Sequence, residues 1–187
     1  YDRNRPFHTT MSPSMDILIA SNLERLLFDL SGGDDAEVRG YMEQLANTGR
    51  YEIDAGMKAK LQELFYGGFC DEAGTTDTIA ALYADNYLID THTAVAANVL
   101  QQYRTETGDE GIAVFASTAS PYKFCDSVLE AIGEPPVRDS VERIAQLEQV
   151  TGVKAPRRLA ELKGKQARFA GVTEKEKMED VVLNFLR

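Results

Sequence analysis

The short run Gly111-Ile-Ala-Val-Phe-Ala116 restricts the fold more than any other part of the chain. It is almost continuously apolar and lies between a Gly-Asp turn and a Ser/Thr cluster. That pattern reads as a strand over 112–116 buried on both faces, the kind found inside a parallel sheet. Partner strands are almost missing. Tyr51-Glu-Ile53 is another candidate, and it is too short to define a strand. The expectation is a mainly helical fold with one or a few short parallel strands. The orphan strand would be covered by rearrangement or by another copy of the chain, because bare edges and apolar faces invite association.

Helical spacing dominates the remainder. Leu23, Leu26, Leu27 and Leu30 form one stripe that Gly32-Gly33 stops. Val38, Tyr41, Met42 and Leu45 form the next, ended by Gly49, and Met57, Leu61, Leu64 and Phe65 a third, closed by Gly67-Gly68. Thr75 or Thr76 is expected to cap a helix carrying Ile79, Leu82 and Tyr83, and Asp90 or Thr91 one that runs to Gly108. After the strand, Ser120 and Pro121 start a helix bearing Phe124, Val128, Leu129 and Ile132. Asp139 with Glu142 and Thr173 with Glu176 resemble capping boxes for two later helices, with a short helix opened by Pro156 between them.

Composition narrows the function classes. The 187 residues carry 20 Lys and Arg against 30 Asp and Glu, a net charge of -10. Nucleic acids and anionic membranes attract basic faces, so neither is an expected partner. No apolar run approaches the roughly 20 residues that span a bilayer. Cys70 and Cys125 are far apart, which suits buried thiols in a reducing cytoplasm better than a disulfide scaffold. With only His8 and His92 and no paired ligand spacing, a metal site has little support. The basic stretch from Lys154 to Arg168 reads as a solvated face. The chain opens at Tyr1 and its first methionine is Met11, which leads us to expect a processed or truncated product.

Three places carry groups that suit chemistry. The turn Ser117-Thr-Ala-Ser120 joins a strand end to a helix start, where hydroxyls and free backbone N–H groups meet a ligand or merely cap the helix. The hydroxyl-rich segment Thr9 to Asp16 leads toward Asn22 and Arg25, neighbours on one helix face that suit a phosphate or a surface ion pair. His92 sits in a first helical turn, as a ligand contact or a structural ring.

These same residues carry a resemblance. Tyr1-Asp-Arg-Asn-Arg5, Thr10-Met-Ser-Pro-Ser-Met-Asp-Ile-Leu18, Ser21-Asn-Leu-Glu-Arg-Leu-Leu27, Asp90-Thr-His-Thr-Ala-Val-Ala96 and Ser117-Thr-Ala-Ser-Pro-Tyr-Lys-Phe124 resemble, in order, the C-terminal portion of the threonine synthase family. Thr91 and Cys125 stand where that family commonly has proline. The resemblance implies a pyridoxal 5'-phosphate enzyme of fold type II that turns O-phospho-L-homoserine and water into L-threonine and phosphate in the cytoplasm. It implies an α/β parent architecture in which 1–33 leads into a helix of the large domain, 34–88 is a helical insertion, and 89–187 completes the large domain.

It also implies roles. Thr118, or failing it Ser117, would hydrogen-bond the pyridine nitrogen of the cofactor. Asn22 and Arg25 would hold the substrate phosphate, with Ser12, Ser14 and Asp16 shaping the pocket, Lys123 adding charge, and His92 a further candidate. The family's cofactor lysine stands in a Ser-Phe-Lys-Asp context that this chain lacks. No catalytic residue is therefore assigned within it, and the isolated chain is expected to bind no cofactor and to be inactive. The competing expectation is a non-catalytic helical interaction module of the same ancestry.

Overall fold

Five helices begin at an aspartate whose carboxylate accepts backbone N–H groups that the helix itself leaves unpaired. Asp34 accepts from Glu37 at 3.0 Å, Asp54 from Met57 at 2.9 Å and Asp71 from Gly74 at 2.8 Å. Asp90 accepts from His92 and Thr93, and Asp139 from Val141 and Glu142. These caps start α2 (Asp35–Thr48), α3 (Ala55–Leu64), α4 (Glu72–Ala84), α5 (Thr91–Thr107) and α7 (Ser140–Thr151). The remaining helices are α1 (Ser21–Leu30), α6 (Cys125–Ala131), α8 (Arg157–Ala160) and α9 (Met178–Phe185). Part of the acidic excess is thus spent on helix starts, where it also complements the helix dipole. The computed structural model describes every residue except Ala167 and Ala170.

Two apolar cores organise these helices. The first is built by α1, α2 and α3, around Leu27, Val38, Tyr41, Leu45, Tyr51 and Met57. Tyr51 stacks between Tyr1 and Tyr41, with ring centroids 5.3 and 5.4 Å away. The Tyr41 hydroxyl donates to Glu37 at 2.7 Å, and this bond, together with burial, pushes its pKa up to about 12. The second core is built by α4 to α7, around Ile79, Ile89, Tyr122, Val128, Leu129, Ile144 and Leu147. Helix α6 is short but central, and it packs on α4 and α7. Adjacent Val128 and Leu129 are both wholly buried because the helix has neighbours on more than one side.

The mainly helical expectation holds, and several local details differ. The run 112–116 joins no sheet, and Ile112 and Val114 are 100% and 92% exposed. A ladder needs a second strand to accept its hydrogen bonds, and the described residues offer this run none. The cover expected from rearrangement of the chain is therefore absent among the described residues. The isolated β-bridge among the described residues is antiparallel, Asp2 with Arg50, beside the Tyr51 candidate. Helix α4 starts at Asp71 rather than at Thr75 or Thr76, since the Thr75 hydroxyl donates back to the Asp71 carbonyl. Ser120 caps a single 3-10 turn, Pro121–Lys123, and α6 follows from Cys125. The Thr173 to Glu176 capping box does not form, because a 3-10 turn at Lys175–Lys177 leads into α9. Of the two thiols, Cys125 is buried and Cys70 is half-buried.

Truncating Leu129 to alanine should destabilise the chain by about 2–5 kcal/mol. Val114→Ala should change stability by less than about 0.5 kcal/mol, both read from urea unfolding midpoints. Burial, helped by the nearby Asp126 charge, pushes the Cys125 thiol up to about 11. An unfolded thiol ionises near ~8.5, so the stability Cys125 contributes is present below that value and is lost as pH rises toward 11. A thiol reagent at pH of about 8 should accordingly modify Cys70 quickly and Cys125 only on unfolding, as mass spectrometry of the labelled peptides would show.

Candidate functional site

The N-terminus of α5 gathers the two polar segments that stand out in the sequence. From one side comes the loop 10–16. Thr10 braces it by donating from its amide and its hydroxyl to the two carboxylate oxygens of Asp16, each at 2.7 Å. The Met11 amide donates to Glu72, the first residue of α4, at 3.1 and 3.3 Å. Ser12 is buried, its amide donates to the Thr10 hydroxyl, and its Oγ meets Nδ1 of His92 in a hydrogen bond. His92 then turns its ring edge-on to Phe124, centroids 4.8 Å apart. One imidazole therefore ties the loop 10–16 to the segment 117–124.

The second tie is a triangle of oxygens. Thr93 Oγ1 lies 2.5 Å from Asp90 Oδ2 and 2.6 Å from Ser117 Oγ, and Ser117 Oγ lies 3.3 Å from the same carboxylate oxygen. The carboxylate brings no proton, and each hydroxyl brings one. Two protons serve three close contacts, so both are held inside the triangle. Ser117 can accept a hydrogen bond from outside but has no proton left to donate. Thr118, the next residue, is exposed and forms no hydrogen bond among the described residues. Its hydroxyl proton is uncommitted among the described residues. Behind the cap, the hydroxyl of Thr91 is sealed without a partner among the described residues.

The other candidates spread outward. Asn22 and Arg25 stand on the first turns of α1. Unlike the aspartate-capped helices, α1 begins at Ala20 with no side-chain cap; the Leu23 amide donates to the Ala20 carbonyl at 3.2 Å, and the Ser21 and Asn22 amides have no hydrogen-bond partner among the described residues. Arg25 lines a cleft of about 800 Å³ between α1 and α2, with Glu24, Phe28, Asp29 and Met42. No residue of the α5 cluster lines that cleft. Ser14 is exposed, and Lys123 is exposed with its Nζ 5.8 Å from the Phe124 ring centre. The structure thus brings Ser12, His92 and Ser117 together, links Asp16 to them through Thr10, and leaves Asn22, Arg25, Ser14, Thr118 and Lys123 facing outward. No cluster of three or more potential metal-ligating side chains occurs among the described residues.

Asp90, Thr93, Glu72 and Phe124 take part without having been singled out as site residues. Asp90 and Thr93 lie inside the string 90–96, so a hydroxyl and a carboxylate beside His92 were visible signals. Nothing in the sequence marked Glu72, whose partner is 61 residues away.

The family model described as "Threonine synthase, C-terminal" matches residues 93–182. The threonine synthase of Corynebacterium glutamicum is 39% identical over 144 residues, 75% of this chain and 29% of that protein. The threonine synthase of Methylobacillus glycogenes is 39% identical over 148 residues, 76% of this chain and 30% of that protein. Among solved structures, yeast threonine synthase superposes with a TM-score of 0.79 at 27% identity, over 100% of this chain and 38% of that one. Threonine synthase from Brucella melitensis with bound pyridoxal phosphate gives 0.61 at 34% identity, over 78% of this chain and 30% of that one. The chain therefore spans less than a third of the length of these two curated relatives.

The Ser12–His92 contact can be measured. In a double-mutant cycle of Ser12→Ala and His92→Ala, the two changes should couple by about 1 kcal/mol in unfolding free energy. Hydrogen exchange should rise across 10–16 in either variant. Additive losses with unchanged exchange would show that the two side chains do not hold one another.

Proposed function

The chain belongs to the threonine synthase family, and on that premise we propose that it forms the C-terminal wall of a pyridoxal-phosphate site. The complete protein then converts O-phospho-L-homoserine and water to L-threonine and phosphate. The observation that carries this reading is the hydrogen bonding at 117–118, where the Ser117 hydroxyl is engaged by Asp90 and Thr93 and that of Thr118 has no partner among the described residues. The donor set fits the cofactor. A neutral hydroxyl donating to the pyridine nitrogen leaves that nitrogen without a proton, whereas a carboxylate there would hold one. When bound, the cofactor supplies an electron sink for elimination and replacement on the substrate carbon chain.

The residues of this chain do the holding. Thr118 hydrogen-bonds the ring nitrogen, and Ser117 supports it from inside. Arg25 and Asn22, with the open amides at the start of α1, hold the substrate phosphate. Ser12 and Asp16 keep the loop 10–16 in place so that Ser14 lines the approach, and Lys123 adds positive charge. His92 serves as the link between the two segments. Because none of its lysines stands in a Ser-Phe-Lys-Asp context, the isolated chain does no catalysis on its own. Its exposed Ile112 and Val114 favour self-association when nothing covers them. No described helix is long and apolar enough to cross a membrane. Two thiols that form no disulfide suit a reducing compartment, and on that ground we place the activity in the cytoplasm.

In the complete gene product, Thr118→Ala should lower kcat for phosphate release from O-phospho-L-homoserine by about 100-fold. Arg25→Ala should instead raise KM about tenfold with a smaller change in kcat. Phosphate release that neither substitution alters would overturn these assignments.

A further inference from the structure

We infer that Asp90 is a positioning residue that sets the Thr118 hydroxyl through Ser117, an inference that rests on the cofactor reading above. Five aspartates cap helices, and four of them, Asp34, Asp54, Asp71 and Asp139, are exposed. Each of those four caps through Oδ1 alone, and the second oxygen accepts no hydrogen bond among the described residues. Asp90 is different on both counts. It is 1% exposed. Its Oδ1 does the capping, for His92 and Thr93, while its Oδ2 accepts from the Thr93 hydroxyl and the Ser117 hydroxyl.

Capping alone does not explain that choice. A buried carboxylate is costly to desolvate, and asparagine or serine caps a helix about as well. No cation pairs with Asp90 among the described residues, so its charge is balanced only by amides, hydroxyls and the helix N-terminus. What the second oxygen adds is a connection to Ser117. The stretch 112–119 has no regular secondary structure, and the Ser117 hydroxyl makes its only hydrogen bonds among the described residues. Thr118 is therefore located by one anchor, one residue away, and that anchor ends on Asp90. Oδ2 also keeps the protons of Thr93 and Ser117 turned inward. With Oδ2 in place, the Ser117 hydroxyl is held inward, and of the two adjacent hydroxyls it is that of Thr118 that is left to donate to a ring nitrogen.

Two substitutions separate the functions of the residue. Asp90→Asn keeps the capping oxygen and replaces Oδ2 with an NH₂ donor, which opposes the two hydroxyl protons. Ser117→Ala leaves the cap whole and removes the anchor, so it remains informative even if Asp90→Asn folds poorly. In the complete gene product loaded with pyridoxal phosphate, each should lower kcat about tenfold with KM for O-phospho-L-homoserine little changed. Each should also shift the visible absorption band of the bound cofactor. The double variant should be no worse than either single one, and Ser117→Thr should restore the wild-type band. In a Thr118→Ala background, Asp90→Asn should leave the band where Thr118→Ala put it. A cofactor band present in the wild type and unmoved by both substitutions overturns this inference alone. So do multiplicative effects in the double variant, or a fall in melting temperature with no spectral change. A wild-type protein that shows no cofactor band overturns the underlying reading together with it.

Discussion

The carboxylate of Asp90 is the contact on which the rest of the site depends. One oxygen starts the longest helix of the chain, and the other fixes the segment that follows that helix's return. Around this point the His92 ring brings in the loop 10–16 from the far side of the sequence. A single helix start therefore holds both polar segments, and neither needs regular structure of its own. The arrangement follows from elementary accounting of donors. A helix N-terminus has amides to satisfy, and the side chain that satisfies them has a second oxygen free for other work.

Much of the helical order was legible because it rests on local rules. The stripes at Leu23 to Leu30 and Val38 to Leu45 give α1 and α2, and the glycine after the second adopts the left-handed conformation that ends it. The start of α4 was misread because threonine and aspartate both cap, and the choice between Asp71 and Thr75 depends on which side chain is buried by tertiary packing. The strand pattern at 112–116 was read from apolar side chains alone, and the structure gives that run no strand. Its apolar side chains suit two covered faces, and no segment among the described residues covers Ile112 or Val114.

The candidate site was legible in part. The strings around Ser12, His92 and Ser117 each stand out in one dimension, but their meeting is a product of the fold. Hydroxyl directions are what separate Ser117 from Thr118, and no spacing rule encodes them. Arg25 was singled out for its neighbour Asn22, and the structure adds that α1 alone among the helices of ten or more residues starts without a side-chain cap. That open start is a property of Ala20, a residue with nothing to notice in the sequence.

The long reach of the Ser12–His92 bond has a kinetic meaning. Its partners are 80 residues apart, and those of the Met11–Glu72 bond 61, whereas the helix caps close over three residues or fewer. Long loops close late, after local structure has lowered the entropy of the intervening chain. The capped helix starts can therefore form before the polar centre exists. The candidate site is thus assembled after the local helical order, so a chain with native helices is not yet a chain with its polar centre.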